Sequence, residues 1–265
     1  MIRVLQELSL PGGEKNEDGL WYGGVSAALL DGSTSLIPCE VDGALFTASF
    51  LEAFAALADR GEGLCACENG ALEAVDRRYG GVFASLDWGY YPSAAGIFVR
   101  ESGPWLEAIA IGDCSGTFLL RSGVRLTLQD ERVKVLDEQV LAYVSDLSRR
   151  TGAAPASLVK SPQVREKLIE NRRKMNRPSG YRVLAHGMEP CTESEVIRLP
   201  AGDVERFALW SDGFDAAAGE LLRPEARLTE LYARLREEEA QDPDFVRLPR
   251  FKPGDDASAL IARVI

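Results

Sequence analysis

The sequence predicts an α+β protein in which helices lie outside antiparallel sheets. The chain begins with strand patterns, continues with two helical patterns and four short strands, and then has a charged helical section followed by further strands. Residues Glu101–Pro104 and Arg121–Gly123 have the composition of hairpin loops between short strands. Strict alternation of strands and helices, which would indicate a doubly wound parallel sheet, is absent.

Nine segments have the apolar content or the alternation that is typical of strands. The run Val25–Leu30 is apolar without alternation, so it predicts a buried strand, and Asp31-Gly32 then provides a turn. The predicted strands are residues 2–9, Trp21–Leu30, Ala94–Arg100, Trp105–Ile111, Thr117–Leu120, Val124–Leu128, Tyr181–Leu184, Val204–Trp210 and Ala257–Ile265.

Three amphipathic helices are predicted from apolar residues that recur at helical spacing. The first helix carries Phe46, Phe50, Phe54 and Leu57, and it stops at Arg60–Gly63. The second begins at Asn69-Gly70 and carries Leu72, Val75 and Tyr79. The third carries Leu228, Leu231, Tyr232 and Leu235. Residues 130–177 are charged and mainly helical, so we expect a variable segment outside the sheets. No linker or internal repeat divides the chain, and residues 1–265 are predicted to form one domain.

Composition excludes several classes of function. The formal net charge is −11, which argues against non-specific binding to nucleic acid, because that requires clustered basic residues. No apolar run approaches the roughly 20 residues that cross a bilayer, and the N-terminus lacks the features of a signal peptide. We therefore expect a cytoplasmic protein with no membrane partner.

Other familiar sites are also missing from the sequence. The five cysteines are too sparse and irregular for a disulfide framework, and no pair of them matches a zinc signature. There is no phosphate-binding GxxxxGK loop and no nucleophile elbow. His186 is the only histidine, and it is interpreted as structural. The basic run Arg172-Arg173-Lys174, with Arg177, is interpreted as a solvated helix face, although it has the charge to bind phosphate or an acidic peptide.

Acidic residues follow or precede apolar strands at several distant positions. Asp31, Asp212 and Asp255 are in such settings, and Glu17, Asp18, Asp113 and Asp256 are further candidates. Hard cations such as Mg²⁺ and Mn²⁺ prefer carboxylate and water oxygens, and two of them about 3.5–4 Å apart can activate water against a phosphate. The alternative for any single Asp-Gly pair is an ordinary turn. The set as a whole favours a metal site.

The order of these motifs resembles the metal-dependent protein phosphatases of type 2C (PPM), as a divergent bacterial-like member. The motifs are Asn16-Glu17-Asp18, Leu29-Leu30-Asp31-Gly32, Ile111-Gly112-Asp113-Cys114, Trp210-Ser211-Asp212-Gly213 and Asp255-Asp256-Ala257-Ser258. The resemblance runs from about residue 14 to the C-terminus. It implies a four-layer α-β-β-α sandwich of two antiparallel sheets flanked by helices, with the variable flap of the family at about 130–177.

The resemblance also implies roles for individual residues. Asp31 is similar to the acid that bridges two Mn²⁺ or Mg²⁺ ions, and the carbonyl of Gly32 to a ligand of one ion. Asp212 and Asp255 resemble the remaining metal-binding acids. Asp113 is similar to the acid that helps to bind a third, weaker ion in many microbial members. Glu17 and Asp18 resemble the pair that holds the site through water and hydrogen bonds.

The chain departs from the family pattern at the substrate end of the site. The family usually has an arginine that grips phosphate five residues before Asp18, where this chain has Gly13, and Lys15 is the nearest cation. Lysine lacks the bidentate fork of arginine. Ser33-Thr34-Ser35 follows Gly32, where many members have glycines and a histidine suited to protonating the leaving oxygen.

The sequence therefore predicts a metal-dependent phosphomonoesterase, a serine/threonine protein phosphatase that uses a dimetal-activated water. The substrate would be a phosphorylated protein, and a partner kinase is an open question. The alternative is a regulatory or scaffold protein with weak catalysis on the same fold, which the changes at Gly13 and after Gly32 favour. Hydrolysis of a small phosphorylated metabolite is a third hypothesis.

Overall fold

Two antiparallel sheets form the centre of the protein, and the structure, a computed structural model, describes all residues from Met1 to Ile265. The strands, β1 to β11 in chain order, are Ile2–Leu10, Gly19–Gly23, Ser26–Ser33, Ser93–Ser102, Trp105–Ile111, Ser115–Leu120, Arg125–Leu128, Leu184–Ala185, Ile197–Pro200, Val204–Trp210 and Ala257–Val264. The helices, α1 to α6, are Gly43–Asp59, Leu64–Phe83, Arg132–Thr151, Pro155–Leu158, Pro162–Arg172 and Leu228–Ala240.

The strand order shows how distant parts of the chain become neighbours. One sheet has the order β1-β11-β10-β6-β7, and the other has the order β2-β3-β4-β5-β9 with the short β8 paired to β4. Every pairing between these strands is antiparallel. The N-terminal and C-terminal strands pair with each other, so that Ile2 lies opposite Val264.

Strand β3 explains why its sequence is apolar without alternation. Ala27 and Leu29 belong to the core between the two sheets, whereas Ala28 and Leu30 belong to the core beneath the helices. A strand that is covered on both faces needs apolar residues at every position. The run therefore predicts a central strand, and it ends at the site acid Asp31.

Helices α1 and α2 cover the outer face of the sheet that contains β3. Phe46, Phe50 and Phe54 are spaced by four residues, and all three are fully buried against that sheet. The Asp42 side chain begins α1 by accepting the backbone N–H of Leu45 at 2.8 Å. This cap lies directly after the loop that leaves β3, so α1 holds the end of β3 in place.

The other sheet is covered by α6 and by the 3₁₀ segment Asp212–Glu220. Four layers result, in the order helices, sheet, sheet, helices, which confirms the predicted four-layer α-β-β-α sandwich. Helices α3, α4 and α5 lie within the predicted flap and have a small core of their own. The structure contains no helix that is long and apolar enough to span a membrane. The assignment of one domain to residues 1–265 stays a prediction.

Several predicted boundaries were wrong. The segment Trp21–Leu30 is a hairpin of β2 and β3, because Gly24 turns the chain with a φ of +54°. Helix α2 begins at Leu64 and not at Asn69. Strand β9 was not predicted, since it has four mostly exposed residues that end in proline and pairs only with β5. Strands β5 and β10 have the predicted bounds.

Candidate metal-binding active site

Acidic residues from four strand ends meet at one cavity of about 370 Å³. Asp31 lies within β3, two residues before its end, so the turn predicted at Asp31-Gly32 was wrong. Asp113 follows β5, Asp212 follows β10, and Asp255 precedes β11. Two of these strands belong to each sheet. The cavity therefore lies where the ends of both sheets come together, and Glu17 and Gly32 line it as well.

Glycines allow the chain to bend closely around these acids. A Cβ atom on Gly32 would lie 2.4 Å from the carbonyl oxygen of Glu17 and 2.9 Å from that of Gly43. Gly112 precedes Asp113 with a φ of +70°, a conformation that favours glycine. These residues bring the Asp31 and Asp113 carboxylates to the cavity at the edge of the sheet.

Burial and mutual repulsion make the ionised forms of these acids unfavourable. Burial raises the pKa of Asp31 well above its usual range, and the nearby Asp212 and Asp18 carboxylates raise it further. Burial also raises the pKa of Asp212, with Asp255 as the next cause, and it raises the pKa of Asp113 to about 6. Carboxyl groups in such a cluster disfavour one another's ionised forms.

The donor set fits a hard divalent cation. Four carboxylates and a backbone carbonyl are the oxygen ligands that Mg²⁺ and Mn²⁺ prefer, and Oδ1 of Asp212 is buried without a hydrogen-bond partner. No three acidic, histidine or cysteine side chains are yet close enough together to surround one ion. Lys252 lies among the acids instead, with its Nζ 2.5 Å from Oδ1 of Asp255. Metal binding therefore requires carboxylates to turn towards the ion.

Asp18 and Glu17 occupy different places around the cavity. Asp18 lies behind the cavity wall, where it accepts a hydrogen bond from Oγ of Ser211 at 2.7 Å, and burial raises its pKa to about 7. Glu17 lines the cavity, and its carboxylate accepts hydrogen bonds from the backbone and the hydroxyl of Thr34. Asp18 thus contacts the residue directly before Asp212, and Glu17 contacts a residue just beyond the end of β3.

Asp256 holds the loop that carries Glu17. Its carboxylate accepts the backbone N–H of Gly12 at 2.8 Å and that of Glu17 at 2.7 Å. It is buried and does not line the acid cavity. Asp256 therefore supports the site from outside.

Lys15 does not line the acid cavity. It is exposed, it forms an ion pair with Asp42, and it borders a neighbouring groove with Gly12 and Gly13. The assignment of a phosphate-binding role to Lys15 stays a prediction, and the structure places its ammonium group at the cap of α1.

Three charged residues of the cavity were not predicted from the sequence: Arg172, Lys252 and Asp137. The interpretation of Arg172 as part of a solvated face was wrong, because its side chain lines the cavity, whereas Arg173 and Arg177 are exposed. The only signal in the sequence was the basic run itself, which does not show which of its members points inward. His186 is paired with Asp76 at 2.9 Å and lies outside the cavity, consistent with a structural role.

A second cavity of about 360 Å³ adjoins the first. Asp113, Asp137, Asp212, Lys252 and Asp255 line both. The second cavity extends between α3 and α6 and past Arg250. Together the two cavities form a groove that leads from the surface to the acids.

The arrangement of strands and helices is shared with known phosphatases. No protein-family model and no curated protein matches the chain. Solved structures do match over its whole length, and they show that the chain has the fold of bacterial PPM-type serine/threonine phosphatases. The sequence identities are too low to show more than the fold.

Three of these structures illustrate the similarity. The serine/threonine phosphatase PstP/Ppp of Mycobacterium tuberculosis is 22% identical, with 99% of this chain and 98% of that chain covered and a TM-score of 0.57. The PstP catalytic domain in complex with two manganese ions is 21% identical, with 100% and 98% covered and a TM-score of 0.57. The PPM Ser-Thr phosphatase MsPP of Mycobacterium smegmatis, in complex with cacodylate, is 19% identical, with 99% of each chain covered and a TM-score of 0.51.

Proposed function

We propose that this protein is a Mn²⁺- or Mg²⁺-dependent phosphomonoesterase that acts on phosphoserine or phosphothreonine in proteins. The observation that carries the proposal is the meeting of acids from four strand ends at one cavity. The shared fold supports it, because a neighbour of the same fold is a protein phosphatase in complex with two manganese ions. We assign the chain to that family as a divergent member.

In this proposal the acids have distinct positions around two ions. Asp31 would hold both ions, Asp212 and Asp255 would supply the other carboxylate ligands, and the carbonyl of Gly32 would be a further ligand. Asp113 would help to hold a third, weaker ion. When bound, the ions supply an activated water and offset the charge of the phosphoryl oxygens.

The surrounding residues keep the acids in position. The hydrogen bond from Ser211 to Asp18 fixes the residue directly before Asp212. Ser211 also accepts the backbone N–H of Ser258 at 3.0 Å, which ties the turn after β10 to the start of β11. Hydrogen bonds of this kind to the neighbours of metal ligands orient those ligands.

Purified protein should hydrolyse a chromogenic aryl phosphate and phosphopeptides only when Mn²⁺ or Mg²⁺ is added. Asp31→Asn keeps the shape of the side chain and removes its charge, so activity should fall on the order of a hundredfold or more. Asp146→Asn is the matched control, because the side chain of Asp146 on α3 is half-exposed and pairs only with Arg149 and Arg150.

Equal inactivity of the wild type and Asp31→Asn across several metals and phosphosubstrates would contradict catalysis. Calorimetric titration with Mn²⁺ then distinguishes the remaining hypotheses. Metal binding without turnover would favour the regulatory or scaffold alternative, whereas an absence of metal binding would remove the metal site itself. Comparison of phosphopeptides with small phosphoesters decides between protein and metabolite substrates.

A further inference from the structure

Arg172 is a cation in the acid cavity that has no carboxylate partner. It is the last residue of α5, and its Nη2 donates a hydrogen bond to Oγ of Ser33. Its Nη1 is shielded from solvent and has no hydrogen-bond partner. Buried guanidinium donors are normally paired. The N–H groups of Nη1 are therefore available to bind an anion.

The other cations around the two cavities are already paired. Lys252 contacts Asp255 at 2.5 Å, Lys134 contacts Asp215 at 3.2 Å, and Arg250 contacts Asp242 at 3.1 Å. Arg172 forms no ion pair, although Asp137 and Glu17 line the same cavity. It is thus the cation of this region whose charge no carboxylate pairs with.

Hydrogen bonds to two neighbouring segments fix the position of helix α5, which carries Arg172. The side chain of Asn171, the preceding residue, donates to the carbonyl of Leu136 on α3 at 3.2 Å. Arg165, earlier on the same helix, donates to the carbonyl of Leu36 at 2.6 Å. These bonds join α5 both to α3 and to the loop after β3, and Arg172 itself contacts Ser33, the last residue of β3.

Arg172 contacts one of the two departures from the phosphatase pattern, Ser33, and the other departure, Gly13, removes a cation from the site. At Gly13 there is no side chain to bind phosphate, and nothing lies within 4 Å of where its Cβ would be. At Ser33 the glycine-histidine pattern is absent, and this serine accepts the guanidinium hydrogen bond. An arginine fork matches the oxygens of a phosphate in a bidentate manner.

We infer that Arg172 is the substrate-binding residue that holds the phosphoryl group, presented by the flap helix α5 in place of an arginine at position 13. Ser33 orients the guanidinium through Nη2, and Nη1 contacts the phosphoryl oxygens above the acids. The inference rests on the proposed function in so far as the ligand is a phosphate monoester. It differs from that proposal by assigning recognition of phosphate to a segment outside the motifs.

The test measures binding of inorganic phosphate to the Mn²⁺-loaded protein by calorimetry, together with kcat and KM for a phosphopeptide. Arg172→Met should weaken phosphate binding and raise KM by about tenfold or more, while Mn²⁺ affinity stays unchanged. Arg173→Met is the matched control, because the adjacent Arg173 is exposed, and it should behave as the wild type.

Arg172→Lys keeps the charge but loses the fork, so it should recover only part of the phosphate affinity. This variant also decides the question if Arg172→Met fails to fold. Phosphate affinity of Arg172→Lys or Arg172→Met equal to that of the wild type would overturn the inference.

The outcomes separate the inference from the proposed function. If the wild type turns over substrate but its phosphate affinity does not depend on Arg172, the proposed function stands and the inference is overturned. Phosphate binding that depends on Arg172 without any turnover would support the inference and contradict the function. Absence of both phosphate binding and turnover in the Mn²⁺-loaded wild type would overturn both.

Discussion

Gly32 shows how tightly a single residue fixes the geometry of the acid site. The position of its missing Cβ is 2.4 Å from the carbonyl of Glu17 and 2.6 Å from Oγ1 of Thr47. Two of the nearest three atoms belong to the backbone, so they cannot rotate away. The sequence identified this glycine only by its resemblance to a family motif. The crowding around it depends on residues 15 positions away in either direction.

Gly32→Ala should displace the end of β3 and with it the Asp31 carboxylate. We expect a loss of stability of about 1–3 kcal/mol, which is typical of overpacking, and weaker binding of Mn²⁺. Thermal unfolding and calorimetric titration check both effects. Gly13→Ala is the control, because nothing lies within 4 Å of its Cβ position. Equal behaviour of the two variants would contradict the steric explanation.

Glu68 is a second residue whose surroundings could not be predicted from the sequence. It is fully buried on α2, neither of its carboxylate oxygens has a hydrogen-bond partner, and Nη2 of Arg182 lies 3.8 Å away. Burial raises its pKa to about 7, and the charge of Arg182 opposes this shift only in part. Helical periodicity placed Leu72 and Val75 in the core, but it gave no sign of a buried acid beside them.

Glu68→Gln should reduce the dependence of stability on pH. Since the folded-state pKa lies above the usual 4.5, the stabilising protonated form is fully populated below pH 4.5 and is lost as pH rises through about 7. At about 1.4 kcal/mol per pKa unit, the effect has an upper limit of roughly 3 kcal/mol. Denaturant unfolding at pH 4.5 and pH 8 measures it. Glu73→Gln, an exposed change on the same helix, should leave the dependence intact.

At the scale of elements, residues 130–177, the predicted flap, pack against the loop after α6. Val140, Val144, Val159 and Val164 of the flap share a small core with Phe245 of that loop. The loop also carries Phe251 and Lys252 to the acid cavity. Residues 130–177 therefore pack against the segment that forms one wall of the acid cavity.

Asp242 organises this loop from within. Its buried carboxylate accepts the backbone N–H groups of Val246 at 3.0 Å, Arg247 at 3.2 Å and Leu248 at 2.8 Å. Asp242→Ala should therefore speed amide hydrogen exchange in residues 243–252 and leave α1 unchanged. Mass spectrometry of exchanging peptides checks this. The exposed Asp244→Ala is the control, and equal protection in both variants would contradict the role of Asp242.

Element prediction succeeded where one local signal dominated. The phenylalanines of α1 recur at four-residue spacing, and a helix is the structure that brings them to one face. The hairpin of β2 and β3 was missed because its turn at Gly24-Val25 interrupts an otherwise apolar stretch. Strand β9 was missed because an exposed edge strand needs no apolar alternation, and only its pairing with β5 defines it.

At the scale of the whole molecule, the net charge of −11 is unevenly distributed, since acids are concentrated at the junction of the two sheets. Burial raises the pKa of Asp18 and Asp137 to about 7 and that of Asp113 to about 6. Each pKa lies above the usual 3.8 of an aspartate. The stability that these groups contribute as neutral acids is thus present below pH 3.8 and is lost as pH rises through about 6–7.

The protein in EDTA should therefore lose stability between about pH 4 and pH 7, and Mn²⁺ should raise the melting temperature more at pH 8 than at pH 5. Bound cations offset the mutual repulsion of the ionised acids, and a ligand that binds only the folded state stabilises it. Thermal unfolding in EDTA and in Mn²⁺ at each pH measures both effects. Stability in EDTA that increases over this range would contradict the explanation.

The sequence by itself determined most of the elements and which acids lie near their ends, because periodicity and turn residues are local properties of the chain. The order of the motifs, from Asn16 to Asp255, implied the four-layer fold through its resemblance to a known family. Only the tertiary structure decided that four strand ends meet at one cavity and that Arg172 turns inward while Arg173 faces solvent. The reason is physical: the surroundings of a charged side chain depend on strands and helices distant in sequence, which the local pattern does not specify.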